Sequence, residues 1–399
     1  MIDLEYDLCV VGGFGHVGLP LSLAFASKGL KVCALDINKA AYELISSGKM
    51  PFKEEGAEAL LSSTMKAGTL KLSLDQNDIS KSSNVVIVIG TPVGEHFSPE
   101  LGVVEKLVSK IIPQFRDGQL LILRSTVFPG TTRSVERYIK NSGKNVDVVY
   151  CPERIVEGVA LKELQTIPQI IASNSKDVLK RAAELFKNIT PDILEAAPLD
   201  AELAKIFSNN LRYIQFSVAN QFFMIANDAK ADFYKIKHLM TYKYPRAAGL
   251  NDAGFASGPC LFKDTVQMNA FNNYDFPLGY AAISVNEGLP FYVYSRLRQK
   301  YDLSKMNVGI LGMAFKAESD DSRDSLSYKL KEIFTFEGKG VFCSDPYIKD
   351  PGFVGSQELL DKSDIIIIGV AHKEYANLKI PKDKIVVDIW NLYKAGSIF

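Results

Sequence analysis

Hydrophobic and polar positions near the N-terminus fall into blocks that predict a strand, a tight turn, a helix and a second strand. The apolar run Leu8–Val11 precedes four glycines, and the apolar positions of residues 19–26 suit one helix. A second apolar run, Val32–Leu35, ends at Asp36. Together these blocks form a βαβ unit of about thirty residues, typical of a parallel sheet. Two later apolar runs predict strands buried on both faces of that sheet: Val85–Ile89 and Leu120–Leu123.

The middle of the chain has a different pattern. Apolar positions from Leu199 to Lys237 recur with helical periodicity and few glycines interrupt them. Such a segment suits a buried spine or a dimer interface, and a core helix within one subunit is an equal alternative. Tyr242–Gly258, rich in Gly, Ala, Asn and Pro, predicts a loop.

The last hundred or so residues repeat the design of the first. Residues 308–345 again give a strand, a turn, a helix and a strand that ends at an acid, Asp345. We therefore expect an α/β fold in which two Rossmann-like, doubly wound parallel-sheet domains are joined by a long helical segment. The predicted boundaries are 1–197, 198–300 and 301–399.

Composition narrows the possible functions. The 399 residues include 46 Lys and Arg against 46 Asp and Glu, so the formal net charge is zero and no cationic cluster favours nucleic-acid binding. No apolar run approaches the roughly 20 residues that span a bilayer, and the acidic start does not resemble a secretion signal. Five scattered cysteines without a CxxC pair predict neither a disulfide framework nor a metal site. We expect a cytoplasmic protein without a membrane partner.

The glycine-rich turn predicts a dinucleotide site. Residues 13–18 match GxGxxG, in which glycines permit the turn, the approach of a pyrophosphate and close helix packing. Asp36 follows at the end of the second strand, where an acid accepts both ribose hydroxyls. Its charge would repel a 2′-phosphate, so NAD is favoured over NADP. The alternative is a glycine turn that binds nothing.

Cys260 is the candidate nucleophile. It follows a Gly-Pro turn at a predicted helix start, where the helix N-terminus favours a thiolate, and Asp264 lies one helical turn later. A lone cysteine is more often an inert buried residue, the interpretation we give to the other four. Lys205 and Asn209 are spaced i, i+4 and could together stabilise an oxyanion, although a solvated surface pair is commoner.

Considered together, these residues resemble a known family. The motifs occur in the order found in nucleotide-sugar 6-dehydrogenases and span nearly the whole chain: GFGHVGLP from Gly13, Thr91-Pro92, Ser125-Thr126-Val127, Pro129-Gly130-Thr131-Thr132, Pro152-Glu153, Glu202 with Lys205 and Asn209, Cys260 with Lys263-Asp264, and Ala314-Phe315-Lys316 with Asp320-Asp321 and Arg323. Members oxidise the C6 hydroxyl of a nucleoside-diphosphate sugar to a carboxylate with two NAD⁺ and one water, without releasing the aldehyde. The resemblance implies an NAD-binding first domain, a central dimerisation segment and a C-terminal UDP-sugar domain.

The same resemblance implies roles for individual residues. Cys260 would hold the aldehyde as a thiohemiacetal and then form a thioester, while Lys205 and Asn209 steady the oxyanions. Asp264 with Thr126 would position water, and Glu153 with Glu157 would transfer protons. The implied NAD contacts are Gly13, Phe14, Gly15, His16, Val17, Asp36, Thr91, Pro92, Ser125, Thr126 and Arg323. The implied substrate contacts are Arg154, Lys205, Asn209, Arg246, Gly254, Phe315 and Lys316.

Three local features bear on the substrate. Cys151-Pro152-Glu153-Arg154 resembles the form found in enzymes of UDP-N-acetylhexosamines, so we expect UDP-N-acetylmannosamine or UDP-N-acetylglucosamine, with UDP-glucose next and GDP-mannose third. The segment GFASGPCLFKD has one more residue than the common GFGGSCFPKD and a proline before Cys260. Trp390 stands where the family often has Arg.

Two other functions remain open. The altered cysteine segment allows a binding protein that holds a nucleotide sugar without oxidising it, but such a protein has no need of Cys260, Lys205, Asn209 and Asp264 together. NAD-linked 3-hydroxyacid dehydrogenases share the Rossmann start and a helical domain, yet they transfer one hydride and need no Cys260. The resemblance further implies a homodimer and a role in surface polysaccharide or lipopolysaccharide synthesis.

Overall fold

A computed structural model describes residues 4–94, 99–100 and 102–394. The chain divides into two compact units, the first of which ends at Phe207 and the second of which begins at Ser208.

The first unit is an α/β unit built on one large sheet. Its described strands are β1 (Tyr6–Val11), β2 (Val32–Leu35), β3 (Leu70–Ser73), β4 (Ser82–Ile87), β5 (Leu120–Leu123), β6 (Asp147–Tyr150), β7 (Gln169–Ala172) and β8 (Ile193–Ala196). Its described helices are α1 (Gly18–Ser27), α2 (Lys39–Ser46), α3 (Ala57–Ala67), α4 (Val103–Ile111), α5 (Thr131–Asn141), α6 (Ala160–Thr166) and α7 (Lys176–Phe186), and α8 (Pro198–Asp228) continues into the second unit.

The strand order in this sheet is β3-β2-β1-β4-β5-β6-β7-β8. The first six strands are parallel and have the Rossmann order, which reverses direction between β1 and β4 and opens a crevice at their carboxyl ends. β7 pairs with β6 antiparallel, through Tyr150 and Ala172, which differs from the wholly parallel sheet expected. β7 therefore starts at the edge where β6 ends, so the segment 151–168 begins and finishes at the carboxyl edge of the sheet.

Alternating side chains place a core on each face of the sheet. Val10 and Val86 belong to one apolar cluster, whereas Cys9 and Val85, one residue earlier on the same strands, belong to another. Successive side chains of a strand point to opposite faces, so both faces are covered by helices as in a doubly wound fold. This explains why β2 and β5 are continuous apolar runs with every residue buried.

The second unit has a helical part followed by a smaller parallel sheet. Its described helices are α9 (Phe233–Thr241), α10 (Leu261–Phe271), α11 (Pro277–Lys300), α12 (Leu326–Glu337) and α13 (Ser356–Lys362). Its described strands are β9 (Asn307–Leu311), β10 (Gly340–Ser344), β11 (Ile365–Ile368) and β12 (Ile385–Val387). The order β10-β9-β11-β12, parallel throughout, again reverses at the first strand, so the predicted second Rossmann-like sheet is confirmed.

Two of the predicted segments differ clearly from the observed elements. The helical segment predicted over 199–237 is two helices, because α8 ends at Asp228 and Asp232 begins α9 by accepting hydrogen bonds from the N–H groups of Tyr234 and Lys235. The strand predicted at Val85–Ile89 is β4, which starts and ends earlier. Within the described part of the chain, none of the helices combines the length and apolar character needed to cross a bilayer.

Candidate functional site

The GxGxxG segment leaves no room for side chains at two of its glycines, and a Cβ on the preceding Gly12 would lie 1.9 Å from the carbonyl oxygen of Val88. A Cβ on Gly13 would lie 2.8 Å from the Cα of Ala34, and one on Gly18 would lie 2.1 Å from the carbonyl oxygen of Gly12. Both positions therefore require glycine for close packing of β1, β2 and α1. Gly15 differs, because its nearest neighbour would be 3.7 Å away and the residue is exposed.

The start of α1 fits a nucleotide diphosphate. Val17 occupies the N-cap without a side-chain hydrogen bond, and no acid stands in the first turn, so no negative charge of this turn opposes an anion at the helix N-terminus. Asp36 lies at the end of β2 and accepts a hydrogen bond from the N–H of Phe14 at 3.1 Å. The glycine turn and Asp36 thus meet at the carboxyl edge of the sheet, and a helix N-terminus with an acid beside it suits a dinucleotide.

His16 connects this turn with the segment that follows β6. Its ring stacks on Phe52 with centroids 4.1 Å apart, and its Nδ1 lies 3.8 Å from Oε2 of Glu157. The structure therefore places a predicted cofactor residue next to a predicted catalytic residue. This follows from the return of the 151–168 segment to the carboxyl edge of the sheet.

The loops after β4 and β5 are fastened to each other at the same edge. The Thr91 hydroxyl donates to the carbonyl oxygen of Thr126 at 2.7 Å, and the N–H of Ile89 donates to the Ser125 hydroxyl at 2.8 Å. Ser125 is buried and Thr126 half-buried. Thr91, Ser125 and Thr126 therefore form one rigid rim, with Pro92 next to Thr91.

Glu153 and Lys205 form a buried ion pair. Lys205 Nζ lies 3.2 Å from Glu153 Oε1, and the side chains are 6% and 13% exposed. The other carboxylate oxygen accepts a hydrogen bond from the N–H of Ile155, which holds the turn. Arg154 points elsewhere and donates to the carbonyl oxygen of Pro168, so the structure gives this cation a backbone partner.

Arg124 is a buried residue near this turn that the sequence did not single out. Its side chain is 1% exposed and donates to the carbonyl oxygen of Cys151 at 3.2 Å and to Gln169 Oε1 at 2.9 Å. Gln169 in turn donates to the carbonyl oxygen of Pro152. Burial lowers the pKa of Arg124. These bonds fix the backbone immediately before Glu153, and the only sequence signal was a cation at the end of an apolar strand.

Glu202 links the first turns of α8 to the N-terminus of α5. Its buried carboxylate accepts hydrogen bonds from the N–H groups of Gly130 and Thr132 at 2.6 and 2.8 Å, and from the Thr132 hydroxyl. An acid at the N-terminus of α5 also complements the helix dipole. Lys205 lies less than one turn further along α8.

Cys260 lies where the sequence predicts, at the N-cap of α10. It is the one exposed cysteine, because Cys9, Cys33, Cys151 and Cys343 are all buried. Burial raises the pKa of Cys343 to about 11 and raises the pKa of Cys151 well above its ordinary value. A hydrogen bond with Cys33, together with burial, raises the pKa of Cys9 well above its ordinary value. Only Cys260 therefore combines access with a helix N-terminus, the setting of a reactive thiol.

Asp264 is fully buried one turn into α10, among three polar neighbours. Its Oδ2 accepts a hydrogen bond from Asn209 Nδ2 at 2.5 Å, its Oδ1 lies 2.5 Å from Lys263 Nζ, and its carbonyl oxygen accepts from Asn210. The structure thus joins Asn209 and Asp264 as one cluster. Lys263, quoted above only as part of a motif, supplies the countercharge.

The segment before Cys260 packs closely on the loop after β9. A Cβ on Gly258 would lie 2.4 Å from the Phe315 ring, and Gly258 has φ +108°, so this position requires glycine. The Ser257 hydroxyl donates to the carbonyl oxygen of Phe315 at 3.3 Å. Lys316 Nζ lies 5.9 Å from the centre of the Phe315 ring. Predicted substrate residues of the second unit therefore adjoin the cysteine segment.

Trp390 packs against the same segment. A Cβ on Gly254 would lie 2.3 Å from the indole ring, whose Nε1 donates to the carbonyl oxygen of Gly369 at 3.0 Å. Trp390 thus packs on the loop at a position where the family often has Arg.

The other two predicted arginines have partners of their own. Arg246 is exposed on the loop after α9, where its Nε donates to the Tyr244 hydroxyl at 3.0 Å. Arg323 pairs with Asp321 at 2.5 Å, with the arginine 54% exposed. Neither contact involves Cys260 or Asp264.

Comparisons with known proteins identify the family of the chain. Three models of the UDP-glucose/GDP-mannose dehydrogenase family match the chain: the NAD binding domain at residues 7–190, the central domain at 199–288 and the UDP binding domain at 309–395. A UDP-N-acetyl-D-mannosamine dehydrogenase from Pyrococcus horikoshii is 28% identical over 411 aligned residues, covering 97% of each chain.

Solved structures give the same result. A UDP-D-ManNAc dehydrogenase from Pyrococcus horikoshii has a TM-score of 0.90 at 26% identity, covering 98% of this chain and 97% of the other. A UDP-glucose dehydrogenase from Pyrobaculum islandicum has a TM-score of 0.87 at 27% identity, covering 96% and 93%. The protein therefore belongs to the UDP-glucose/GDP-mannose dehydrogenase family and is an NAD-dependent oxidoreductase.

Proposed function

We propose that the protein oxidises the C6 hydroxyl of UDP-N-acetylmannosamine to a carboxylate, with two NAD⁺ and one water consumed and two NADH and three protons released. The exposed thiol of Cys260 at the start of α10, with the buried Asn209–Asp264 pair one turn away, is the observation that supports a four-electron reaction most directly. A binding protein needs neither feature, and a dehydrogenase that transfers a single hydride needs no nucleophile.

The choice of sugar is supported by two observations. The turn after β6 has the sequence Pro152-Glu153-Arg154, the form expected for N-acetylhexosamine substrates. The Pyrococcus relatives described above are named for N-acetylmannosamine substrates. UDP-glucose is the alternative, favoured by the similarity to the Pyrobaculum enzyme.

The glycine turn and Asp36 would hold NAD⁺, which when bound would supply the oxidant for C6. Residues of the chain supply the nucleophile, the hydrogen-bond donors and the groups that transfer protons. Cys260 Sγ adds to the aldehyde carbon to give a thiohemiacetal, which becomes a thioester at the second oxidation and keeps the aldehyde from leaving. Lys205 and Asn209, four residues apart on α8, donate to the oxygen on which negative charge develops.

Thioester hydrolysis needs a water and an acceptor for its proton. Asp264, assisted by Thr126, orients the water by accepting a hydrogen bond from it. Glu153 and Glu157 accept and return protons as water adds to the thioester and the thiolate of Cys260 leaves. The ion pair with Lys205 keeps the Glu153 carboxylate in one position for this step.

We further propose that the enzyme is a homodimer of chains with three functional parts, 1–197, 198–300 and 301–399, working in the cytoplasm on surface polysaccharide or lipopolysaccharide precursors. An apolar stripe on α8 supports the dimer: Leu211, Val218, Phe222 and Ile225 are exposed and recur at intervals that place them along one face. Five cysteines that include no disulfide fit a reducing compartment.

The test is the amount of NADH formed per sugar consumed, followed at 340 nm. UDP-N-acetylmannosamine, UDP-N-acetylglucosamine, UDP-glucose and GDP-mannose would each be supplied as the limiting reactant in excess NAD⁺. Two NADH per UDP-N-acetylmannosamine, with the fastest turnover among the four sugars, is the expected result. One NADH per sugar, or none with any sugar despite NAD⁺ binding, would refute the proposal.

A further inference from the structure

Two buried asparagines connect the helices of the second unit to the segment before the nucleophile. Asn220 on α8 and Asn286 on α11 are both 0% exposed. Asn220 Nδ2 donates to Asn286 Oδ1 at 2.9 Å, and Asn220 Oδ1 accepts a hydrogen bond from the N–H of Gly254 at 2.8 Å. Asn286 Nδ2 donates to the carbonyl oxygen of Tyr213 at 3.1 Å. The result is one continuous series of hydrogen bonds that runs from the backbone of α8 to Asn286, then to Asn220, and ends at the backbone of Gly254.

The backbone groups at the two ends of this hydrogen-bonded series determine how both side-chain amides are oriented. The N–H of Gly254 can only donate, so the oxygen of the Asn220 amide must face it. The carbonyl of Tyr213 can only accept, so the nitrogen of the Asn286 amide must face that end. Each amide then offers the complementary group to the other. Neither side chain can be reversed without losing a buried hydrogen bond, which costs more than an exposed one.

We define residues 250–259 as the cysteine loop, because Cys260 follows directly. Gly254 is held in this loop from three directions. Its N–H is bound by Asn220, its carbonyl oxygen accepts a hydrogen bond from the N–H of Ala256 at 2.8 Å, and the ring of Trp390 covers its Cα. Among residues 250–259, this is the point at which helix α8 fixes the backbone of the loop through a side chain.

We propose that Asn220 and Asn286 are positioning residues that set the cysteine loop for the nucleotide sugar. They act through the backbone of Gly254 and touch no reacting atom. The inference rests on the proposed function, in which this loop borders the sugar and delivers Cys260. Two polar side chains in a helix interface add nothing to apolar packing. Their contribution is to hold the backbone of the cysteine loop in one conformation.

Two variants test this. Asn220→Ala removes the acceptor of the Gly254 N–H. Asn286→Ala keeps that acceptor but removes the hydrogen bond between Asn286 and Asn220 that orients it. Asn286→Ser is a milder version should an alanine variant fold poorly. Asn227→Ala is the matched control, because Asn227 also joins α8 to α11, by donating to the Tyr292 hydroxyl at 2.8 Å. That link joins the same two helices at Tyr292 and not at Asn286.

Two measurements are needed on each full-length variant. In hydrogen exchange with mass spectrometry, peptides covering 250–259 should exchange faster in the Asn220 and Asn286 variants than in the wild type, with no change in Asn227→Ala. In steady-state assays the KM for the nucleotide sugar should rise about tenfold, the loss expected for one buried hydrogen bond, while the KM for NAD⁺ stays within about twofold.

The proposal would be overturned if all three alanine variants lost the same amount of melting temperature while loop exchange and the KM for the sugar stayed unchanged. Asn220 and Asn286 would then contribute only to helix packing. Failure of the proposed function gives a different outcome. The wild type would then form no NADH with any of the sugars, while hydrogen exchange would still decide whether the two asparagines fix the loop.

Discussion

Lys205 Nζ and Glu153 Oε1 lie 3.2 Å apart in a nearly solvent-free part of the first unit. The pair joins the long helix α8 to the turn after β6, two segments that are far apart in the sequence. Removing either partner of such a pair leaves a buried charge without compensation, which costs far more than losing a surface ion pair.

Glu153→Gln should therefore impair both function and stability. We expect kcat to fall by about 10²- to 10⁴-fold, the usual contribution of a general acid or base, with a smaller change in the KM for the nucleotide sugar. The melting temperature should also fall, because Lys205 loses its countercharge. Steady-state kinetics and calorimetry measure the two effects. Glu195→Gln, on the exposed part of β8, is the control, and equal kcat in both variants would contradict a role for Glu153 in proton transfer.

Cys260→Ser should abolish net oxidation to the carboxylate. An alcohol is a much weaker nucleophile than a thiolate, so we expect the rate of NADH formation to fall by more than about a thousandfold, a scale typical of losing a nucleophile. Stopped-flow absorbance and mass spectrometry of the products measure this. Cys343→Ser, at a buried thiol, is the comparison. Two NADH per sugar at an undiminished rate in Cys260→Ser would rule out covalent catalysis.

Asp36→Ala should weaken NAD binding selectively. Losing a charged acceptor for ribose hydroxyls costs about 1.5 to 3 kcal/mol, so the Kd for NAD⁺ should rise about 10- to 100-fold, and discrimination against NADP⁺ should shrink because the repelling charge is gone. Titration calorimetry with both nucleotides measures the two constants. Asp192→Ala, at an exposed site in the same unit, should leave them unchanged. An unaltered preference for NAD⁺ in Asp36→Ala would disprove the assignment.

Asp345 should make the stability of the second unit depend on pH in the acid range. Burial alone would raise its pKa, but hydrogen bonds from His372 and from the N–H groups of Met313 and Tyr347 outweigh burial, so the pKa lies below the ordinary value of 3.8. A carboxyl whose pKa is lowered by folding stabilises the folded state above 3.8, and this stabilisation disappears as the pH falls through the folded-state pKa.

The single tryptophan, Trp390, lies in the second unit, so its fluorescence reports on urea unfolding there. The difference in unfolding free energy between the wild type and Asp345→Asn should be largest near neutral pH and should decrease progressively below about pH 4. Asp383→Asn, at an exposed carboxyl, should show no such trend. A difference that is independent of pH would show that Asp345 acts without its charge.

The exposed stripe on α8 should hold two copies of the chain together. Replacing Leu211 and Ile225 by Asp places charges in the middle of a hydrophobic contact, so light scattering coupled to size exclusion should show a shift from dimer to monomer. Phe336→Asp changes an even more exposed apolar residue on α12 and should have no effect on mass. A wild-type chain that is monomeric at all concentrations would refute the dimer.

Local patterns in the sequence determined most of the fold. Strands buried on both faces must be continuous apolar runs, and GxGxxG with Asp36 describes a turn whose packing tolerates only glycine at two positions, so β1, α1 and β2 were predictable. Cys260 at a helix start was predictable for the same reason, since a Gly-Pro turn followed by a helical pattern is a local signal. The order of the family motifs then indicated the enzyme class.

The tertiary structure alone decided which distant residues meet. The antiparallel β7 returns residues 151–168 to the carboxyl edge of the sheet, and this brings Glu157 to His16 and supports Glu153 through Arg124 and Gln169. Likewise, Asn220, Asn286 and Gly254 form one chain of hydrogen bonds only because α8 and α11 pack together. Side-chain contacts between such segments depend on the packing of whole elements, and a local pattern of residues contains no information about that packing.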